Sequence, residues 1–349
     1  MRDKVSLKWA CILITLIKNI KYILGLALSV LLLACSPSEQ QKTWQLGQNV
    51  SQQAHISKSI RYILTTPTNA PVELWQLGRS AQGKFAWRFP NNIATGYTLT
   101  DLATPQAYAV MANGPYIIVW STRTGKSLAF WKLPFNIREI KTSQTNQLSL
   151  IRTEYGEVKM INLRTGQIDF SIPTAKTDPA THISLAENSH YFAVGTQSGR
   201  VHLWNMKSKT LLHTLKLGKK VSFLKFSSHG NKILTSTYTG LSQIWYTRSG
   251  KLISTLKANG DLYKIRQVPA PVTAARFSTT DRLLATASPG GIVRVWAVKS
   301  GYIHRHWQIP SPSFWARKHP TVLDLVFTSK AKSVITVTSE NKAALWRLN

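Results

Sequence analysis

The chain has 349 residues, of which 43% are hydrophobic, with 12 Trp, 11 Tyr and 11 Phe; that is enough apolar material for one large packed core and excludes a wholly disordered chain. Its two cysteines, Cys11 and Cys35, both fall within the first 35 residues, which excludes an intrachain disulfide and a thiolate metal site from the body. A formal net charge of +30, from 44 Lys and Arg against 14 Asp and Glu, draws a protein toward polyanions, anionic lipid or polysaccharide among them.

The first predicted element is a leader. Lys18 and Lys21 precede an apolar run, Tyr22 to Leu33, too short to span a bilayer as a helix but suited to the core of a secretory signal. The run ends in Leu32-Leu33-Ala34-Cys35, which resembles the lipobox of bacterial lipoproteins. That resemblance implies cleavage before Cys35 and acylation of its thiol, and each buried acyl CH₂ would add roughly 0.8 kcal/mol of membrane partitioning. The other reading is an uncleaved signal anchor. An upstream apolar stretch, Val5 to Ile17 interrupted by Lys8, gives the leader two hydrophobic halves and points to a translation start near Leu13 or Leu16. Ser36 rather than Asp follows the cysteine, and in the same resemblance this implies delivery to the outer membrane, facing the periplasm. The expected organisation is a signal peptide over 1–34, a lipidated cysteine and polar tether over 35–42, and one domain over 43–349. Loss of the first 34 residues would leave 315, with 39 basic and 13 acidic residues and a net charge of +26.

The body repeats itself. Alternating apolar segments run up to an anchor at Trp75, Trp120, Ile161, Trp204, Trp245, Trp296 and Trp346, spaced by 45, 41, 43, 41, 51 and 50 residues. Each copy has one grammar. Before Trp296, Val272 to Ser278 alternates as a strand, Thr279 to Arg282 turns, Leu283 to Thr286 is a second strand, and Ser288-Pro289-Gly290-Gly291 turns again. Lys299-Ser300-Gly301 then leads into a fourth strand. The same order recurs in Val221 to Ser227, Lys232 to Thr235, Ile244-Trp245 and Arg248 to Lys251.

This repeat resembles the WD40 family over nearly the whole body, which implies an all-β, seven-bladed WD40-like β-propeller with four antiparallel strands per blade around a central channel. The copies depart from the family pattern: no Asp follows any anchor, Ile161 replaces one Trp, and the Gly-His dipeptide is absent. Blade cohesion is therefore expected to rest mainly on apolar faces. The last copy stops at Asn349 with three strands, while Thr43-Trp44-Gln45-Leu46 resembles the aromatic-rich fourth strands Phe85 to Pro90, Ala129 to Pro134 and His306 to Pro310. The ring is expected to close by an N-terminal strand joining the C-terminal blade, which removes two sheet edges.

Binding residues collect on loops held by a rigid scaffold. The two long spacings place insertions at Asn259 to Pro271 and Pro310 to Pro320, and these carry Tyr263, Lys264, Arg266, Phe314, Trp315, Arg317, Lys318 and His319. Aromatics beside Arg are the composition of binding hot spots, so these residues are the candidate partner site; the other reading is that Phe314 and Trp315 fold back as caps. Catalytic signatures are lacking: no His-Glu-x-x-His, Gly-x-Ser-x-Gly, Walker or dinucleotide fingerprint occurs. His304-x-His306 is read as a surface pair and Glu154 with Glu157 as a solvated turn. No cofactor, metal or catalytic residue is assigned. The expected function is a membrane-anchored, non-enzymatic scaffold for protein partners in the cell envelope, an architecture similar to the propeller lipoprotein of the outer-membrane barrel-assembly machinery, whose blade count and motifs differ. The alternatives are a receptor for a polyanion or glycan, and an enzyme with a loop-built site; nucleic acid is not the expected partner.

Overall fold

The computed structural model describes residues 40–90, 97–103, 107–145, 147–257, 271–311 and 319–348, which form strands and no helix. Among them, β1 spans Gln40–Gln45. The first blade is β2 (Ser51–Ile56), β3 (Tyr62–Pro67), β4 (Val72–Leu77) and β5 (Ala81–Trp87). The second is β6 (Leu99–Ala103), β7 (Tyr108–Asn113), β8 (Tyr116–Ser121) and β9 (Ser127–Lys132). The third is β10 (Ile137–Thr142), β11 (Leu148–Thr153), β12 (Val158–Asn162) and β13 (Ile168–Ile172). The fourth is β14 (Ala180–Leu185), β15 (Tyr191–Thr196), β16 (Arg200–Asn205) and β17 (Thr210–Lys216). The fifth is β18 (Val221–Phe226), β19 (Lys232–Thr237), β20 (Ser242–Tyr246) and β21 (Leu252–Thr255). The sixth is β22 (Ala274–Phe277), β23 (Leu283–Ser288), β24 (Ile292–Ala297) and β25 (Ile303–Gln308). The seventh is β26 (Val322–Phe327), β27 (Ser333–Thr338) and β28 (Lys342–Arg347), with β1 as its fourth strand.

The first strands of successive blades touch in order, β2 to β6, β10, β14, β18, β22, β26 and back to β2, so the seven antiparallel sheets form a closed ring. The seam obeys the same rule as the other blades. In every sheet the anchor residue pairs across a one-residue bulge in the fourth strand: Trp75 opposes Gly83 and Leu74 opposes Phe85, and likewise Trp346 opposes Gln40 and Leu345 opposes Lys42. A bulge bends its strand and increases twist, and here it recurs at the anchor of all seven blades. Gln40, Gln41 and Lys42, read from sequence as tether, are already strand, because the register opposite Trp346 needs them.

Fourth strands are also latched to the next blade. Trp87 Nε1 donates to Gly125 O at 3.0 Å, Trp131 Nε1 to Leu163 O at 2.9 Å, and Trp44 Nε1 to Gly78 O at 3.2 Å. The bond from Trp44 crosses the seam. Gly125 accepts this close approach because its φ of 75° is open to glycine and a Cβ there would meet the Phe85 ring at 2.6 Å.

The core is a set of slabs between blades. Among the described residues seven apolar clusters occur, one at each blade-to-blade interface. At the seam, Trp44 and Leu46 bury against Ala54, Ile56, Val326 and Val337. Apolar packing is joined by one recurrent polar bond that the sequence reading did not foresee. The indole N–H of Trp75, Trp245, Trp296 and Trp346 donates to Thr65, Thr235, Thr286 and Thr336, each ten residues earlier, at 2.8–3.0 Å. Where valine stands at that position, as Val110 and Val194 do, the buried Nε1 of Trp120 and Trp204 has no partner. Those two rings stack instead on Trp87 and Phe192. In the third blade both positions are isoleucine, Ile151 and Ile161.

Candidate functional site: the central channel

The partner-site residues expected from sequence, Tyr263, Lys264, Arg266, Phe314, Trp315, Arg317 and Lys318, and the acylation candidate Cys35, lie outside the described residues. The ends of the two insertions are described. One segment leaves at Lys257, whose amide donates to Gly301 O at 2.9 Å, and returns before β22. The other follows β25, where His319 Nδ1 lies 2.9 Å from Ile309 O, so the two bracket the sixth blade. His304 and His306 are both exposed on β25, and Glu157, just before β12, pairs with Lys159 of β12 at 3.2 Å.

The site that the described residues do build is the channel. A first strand is the inner edge of its blade, with backbone N–H and C=O groups that no fifth strand covers, and such groups need partners. Inward side chains supply them from blade to blade. Gln53 Oε1 accepts from Thr100 N at 2.9 Å, Asp101 Oδ2 from Thr142 N at 2.5 Å, Glu139 Oε2 from Ile183 N at 3.2 Å and Asp324 Oδ2 from Ile56 N at 2.7 Å. In the fourth blade the donor is reversed: His182 Nδ1 lies 3.1 Å from Val221 O, which fixes the proton on Nδ1.

One tier along the strands from these acids, Lys141, Lys225, Arg276 and His55 face the same cavity, of about 580 Å³. Arg276 clamps the channel. Its Nη1 donates to Glu187 Oε1 at 2.7 Å, its Nη2 to Ile56 O at 3.3 Å and Asp324 Oδ2 at 3.5 Å, and its Nε to Leu325 O at 3.4 Å. One side chain thus ties four blades. Burial alone would lower the Arg276 pKa, but Asp324 and Glu187 outweigh it and raise it. Burial would raise Glu187, yet Arg276, Lys225 and Lys58 hold it below the ordinary carboxylate range; Lys58 Nζ stands 3.3 Å from Glu187 Oε2.

Two members of the tier are uncommitted. Lys225 makes no hydrogen bond or ion pair with the described residues, and its pKa is pushed down to about 8, first by burial and then by Arg276. His55 Nε2 is buried without a partner. Burial lowers the His55 pKa against the pull of Asp101 and Asp324, and its Nδ1 stands 3.7 Å from Asp101 Oδ1, beyond hydrogen-bond distance. The cavity is rimmed by Ser57, Lys58, Gln144, Glu187, Asn188 and His229, all from turns between first and second strands. It opens on that face.

Sequence reading missed this tier. The available signal was a single charge inside an otherwise apolar alternating strand, Lys225 in Val221 to Phe226 and Arg276 in Val272 to Phe277.

Comparison with known proteins agrees with the fold. A family model described as the anaphase-promoting complex subunit 4 WD40 domain matches residues 140–229, and one described as WD domain, G-beta repeat matches 250–297. WD repeat-containing protein SL1-17 of Schistosoma mansoni is 25% identical over 163 residues, 46% of this chain and 50% of its own. COMPASS component SWD3 of Saccharomyces cerevisiae is 22% identical over 178 residues, 50% of this chain and 55% of its own. Protein LST8 homolog of Drosophila melanogaster is 28% identical over 123 residues, 34% of this chain and 37% of its own. The matches thus span about half the length of these relatives or less. The crystal structure of the β-propeller domain of Cps50 (Swd1) from Myceliophteria thermophila superposes with a TM-score of 0.70, covering 88% of this chain and 100% of that one at 11% identity. The fold is an all-β, seven-bladed propeller, and the two family models with the WD-repeat relatives support the WD40-repeat family for this chain.

Proposed function

We propose that the protein is a lipid-anchored scaffold of the bacterial cell envelope that docks protein partners on its propeller. The reading is carried by the closing strand. β1 begins at Gln40, five residues after the acylation candidate Cys35, and five residues reach at most about 17 Å. An acyl group there would hold the ring close to a membrane. Support for protein partners comes from the fold, a rigid ring typical of protein–protein interaction, and from relatives whose names place them in assemblies, such as the COMPASS component. Neither matching family model describes an enzyme.

The insertions Asn259 to Pro271 and Pro310 to Pro320, with Trp315 and Arg317, are the proposed contact surface. Cys35→Ser should move the protein from the membrane to the soluble fraction. Trp315→Ala with Arg317→Ala should abolish co-purification of envelope proteins crosslinked in intact cells while leaving the melting temperature unchanged. A membrane fraction indifferent to Cys35→Ser, or a crosslinking pattern indifferent to the double variant, contradicts the proposal. A polyanion receptor, the reading that the basic charge favours, would instead lose its ligand steeply as salt is raised.

A further inference from the structure

We propose that the central channel is a binding site for a compact multivalent oxyanion, a phosphate or a small di- or tricarboxylate, entered from the face of the first-to-second strand turns and held by Lys225 with Lys141 and His55. Three observations converge on it. The cavity has a volume of about 580 Å³, room for a small ligand and its waters. Its acids are already engaged: Asp101, Glu139 and Asp324 accept backbone N–H bonds from neighbouring blades, and Glu187 holds Arg276 and Lys58. Two of its cations are not, in contrast to Arg276 and Lys58. Lys225 has no partner among the described residues, and Lys141 has only a loose approach of 3.8 Å to Glu139 Oε1.

The three groups come from alternate blades, the first, third and fifth, so they surround the channel rather than line one wall. Each lies within electrostatic range of the other two: beside burial, Arg276 and Lys141 disfavour charge on Lys225 against Asp324 and Glu187, and Lys141 and Lys225 disfavour it on His55 against the larger pull of Asp101 and Asp324. A half-buried cation that lacks a hydrogen bond and has like charges beside it is costly unless a counter-ion joins it. An oxyanion between them would accept from the Lys225 and Lys141 ammonium groups and from a protonated His55 Nε2, whose charge the anion itself would favour. The site shares no residue with the proposed protein contact surface, so either can fail without the other.

The test is isothermal titration of the full-length chain with sodium phosphate and, separately, with sodium citrate, at fixed ionic strength in chloride. Saturable binding of at least one probe is expected, weakened tenfold or more by Lys225→Met and severalfold by Lys141→Met, and unchanged by Lys219→Ala with Lys220→Ala on a loop outside the cavity. The two probes separate phosphate from carboxylate chemistry. As a second readout that does not need a soluble variant at high concentration, the preferred anion should raise the wild-type melting temperature but not that of Lys225→Met. Failure of both probes to bind the wild type at millimolar concentration overturns the proposal, as does binding that Lys225→Met leaves intact.

Discussion

Lys225 and Arg276 stand in the same tier with opposite energetics. Arg276 is paired on every side, and its removal strands Glu187 and Asp324, both less than a fifth exposed. Losing one partner of a buried ion pair costs about 3–5 kcal/mol, so Arg276→Met should lower the denaturant midpoint strongly. Lys225 carries its charge unpaired, with Arg276, Asp324, Glu187 and Lys141 as its charged neighbours. Lys225→Met should therefore stabilise the apo protein at pH 7, by about 1–2 kcal/mol after discounting for solvent screening. The sign of the pH dependence follows from the same shift. Between about 8 and the ordinary 10.5, the unfolded chain binds more protons at this lysine than the folded one, so wild-type stability should rise across that window. Thermal melts at pH 7.5 and 10 would check it; a slope that persists in Lys225→Met assigns the effect elsewhere.

The Trp–Thr bonds allow an independent residue-level test. Thr286→Val leaves the buried Trp296 N–H unsatisfied and should cost about 1–3 kcal/mol. Val110→Thr, nearly the same shape change in reverse, offers the orphaned Trp120 N–H an acceptor and should be neutral or stabilising. Equal destabilisation by both would show that the bond contributes nothing. Sequence reading noted the Trp anchors and the missing Asp and Gly-His, and from these expected mainly apolar cohesion. Thr65, Thr235, Thr286 and Thr336 were visible ten residues upstream, but a threonine in a strand carries no signal until register places it beside an indole.

At the scale of elements, the period was legible because each blade must mark the same bulge with the same kind of residue. A bulky anchor before a polar turn survives even where Ile161 replaces Trp. The fourth strands were harder to bound: β9 starts at Ser127 and β25 at Ile303, ahead of the aromatic stretches that mark them in the sequence. β9 opens on the exposed Ser127 and Leu128, and β25 alternates half-buried with exposed residues over Ile303 to His306, so neither start is marked by a buried apolar residue. The closing strand was found by its likeness to those stretches, and its core contribution is Trp44, buried at the seam and bonded across it to Gly78. Trp44→Ala should cost about 3–5 kcal/mol and bare the edge of β28, with aggregation on heating as the visible consequence. A loss under 1 kcal/mol would mean that the seam does not depend on this side chain. The channel tier was not legible, since its basic residues, on the first strands of four of the seven blades, look like a solvated face until the ring turns them inward.

For the whole molecule, closure converts seven sheets, none able to bury both faces alone, into one ring whose slabs of core repeat at each interface. It also links the proposed membrane anchor to stability, because the strand that would follow the acylated cysteine is the strand that seals the ring. The most direct test is a crosslink across the seam. Thr43 and Ala344 are opposed on β1 and β28, where antiparallel Cα atoms lie within about 4.5–5.5 Å, a separation a disulfide can bridge. In a Cys11→Ser, Cys35→Ser background, Thr43→Cys with Ala344→Cys should oxidise in the folded protein to a bridged form of altered electrophoretic mobility and higher unfolding midpoint. A folded double-cysteine protein whose thiols stay free under oxidising conditions would contradict a ring closed by its N-terminal strand.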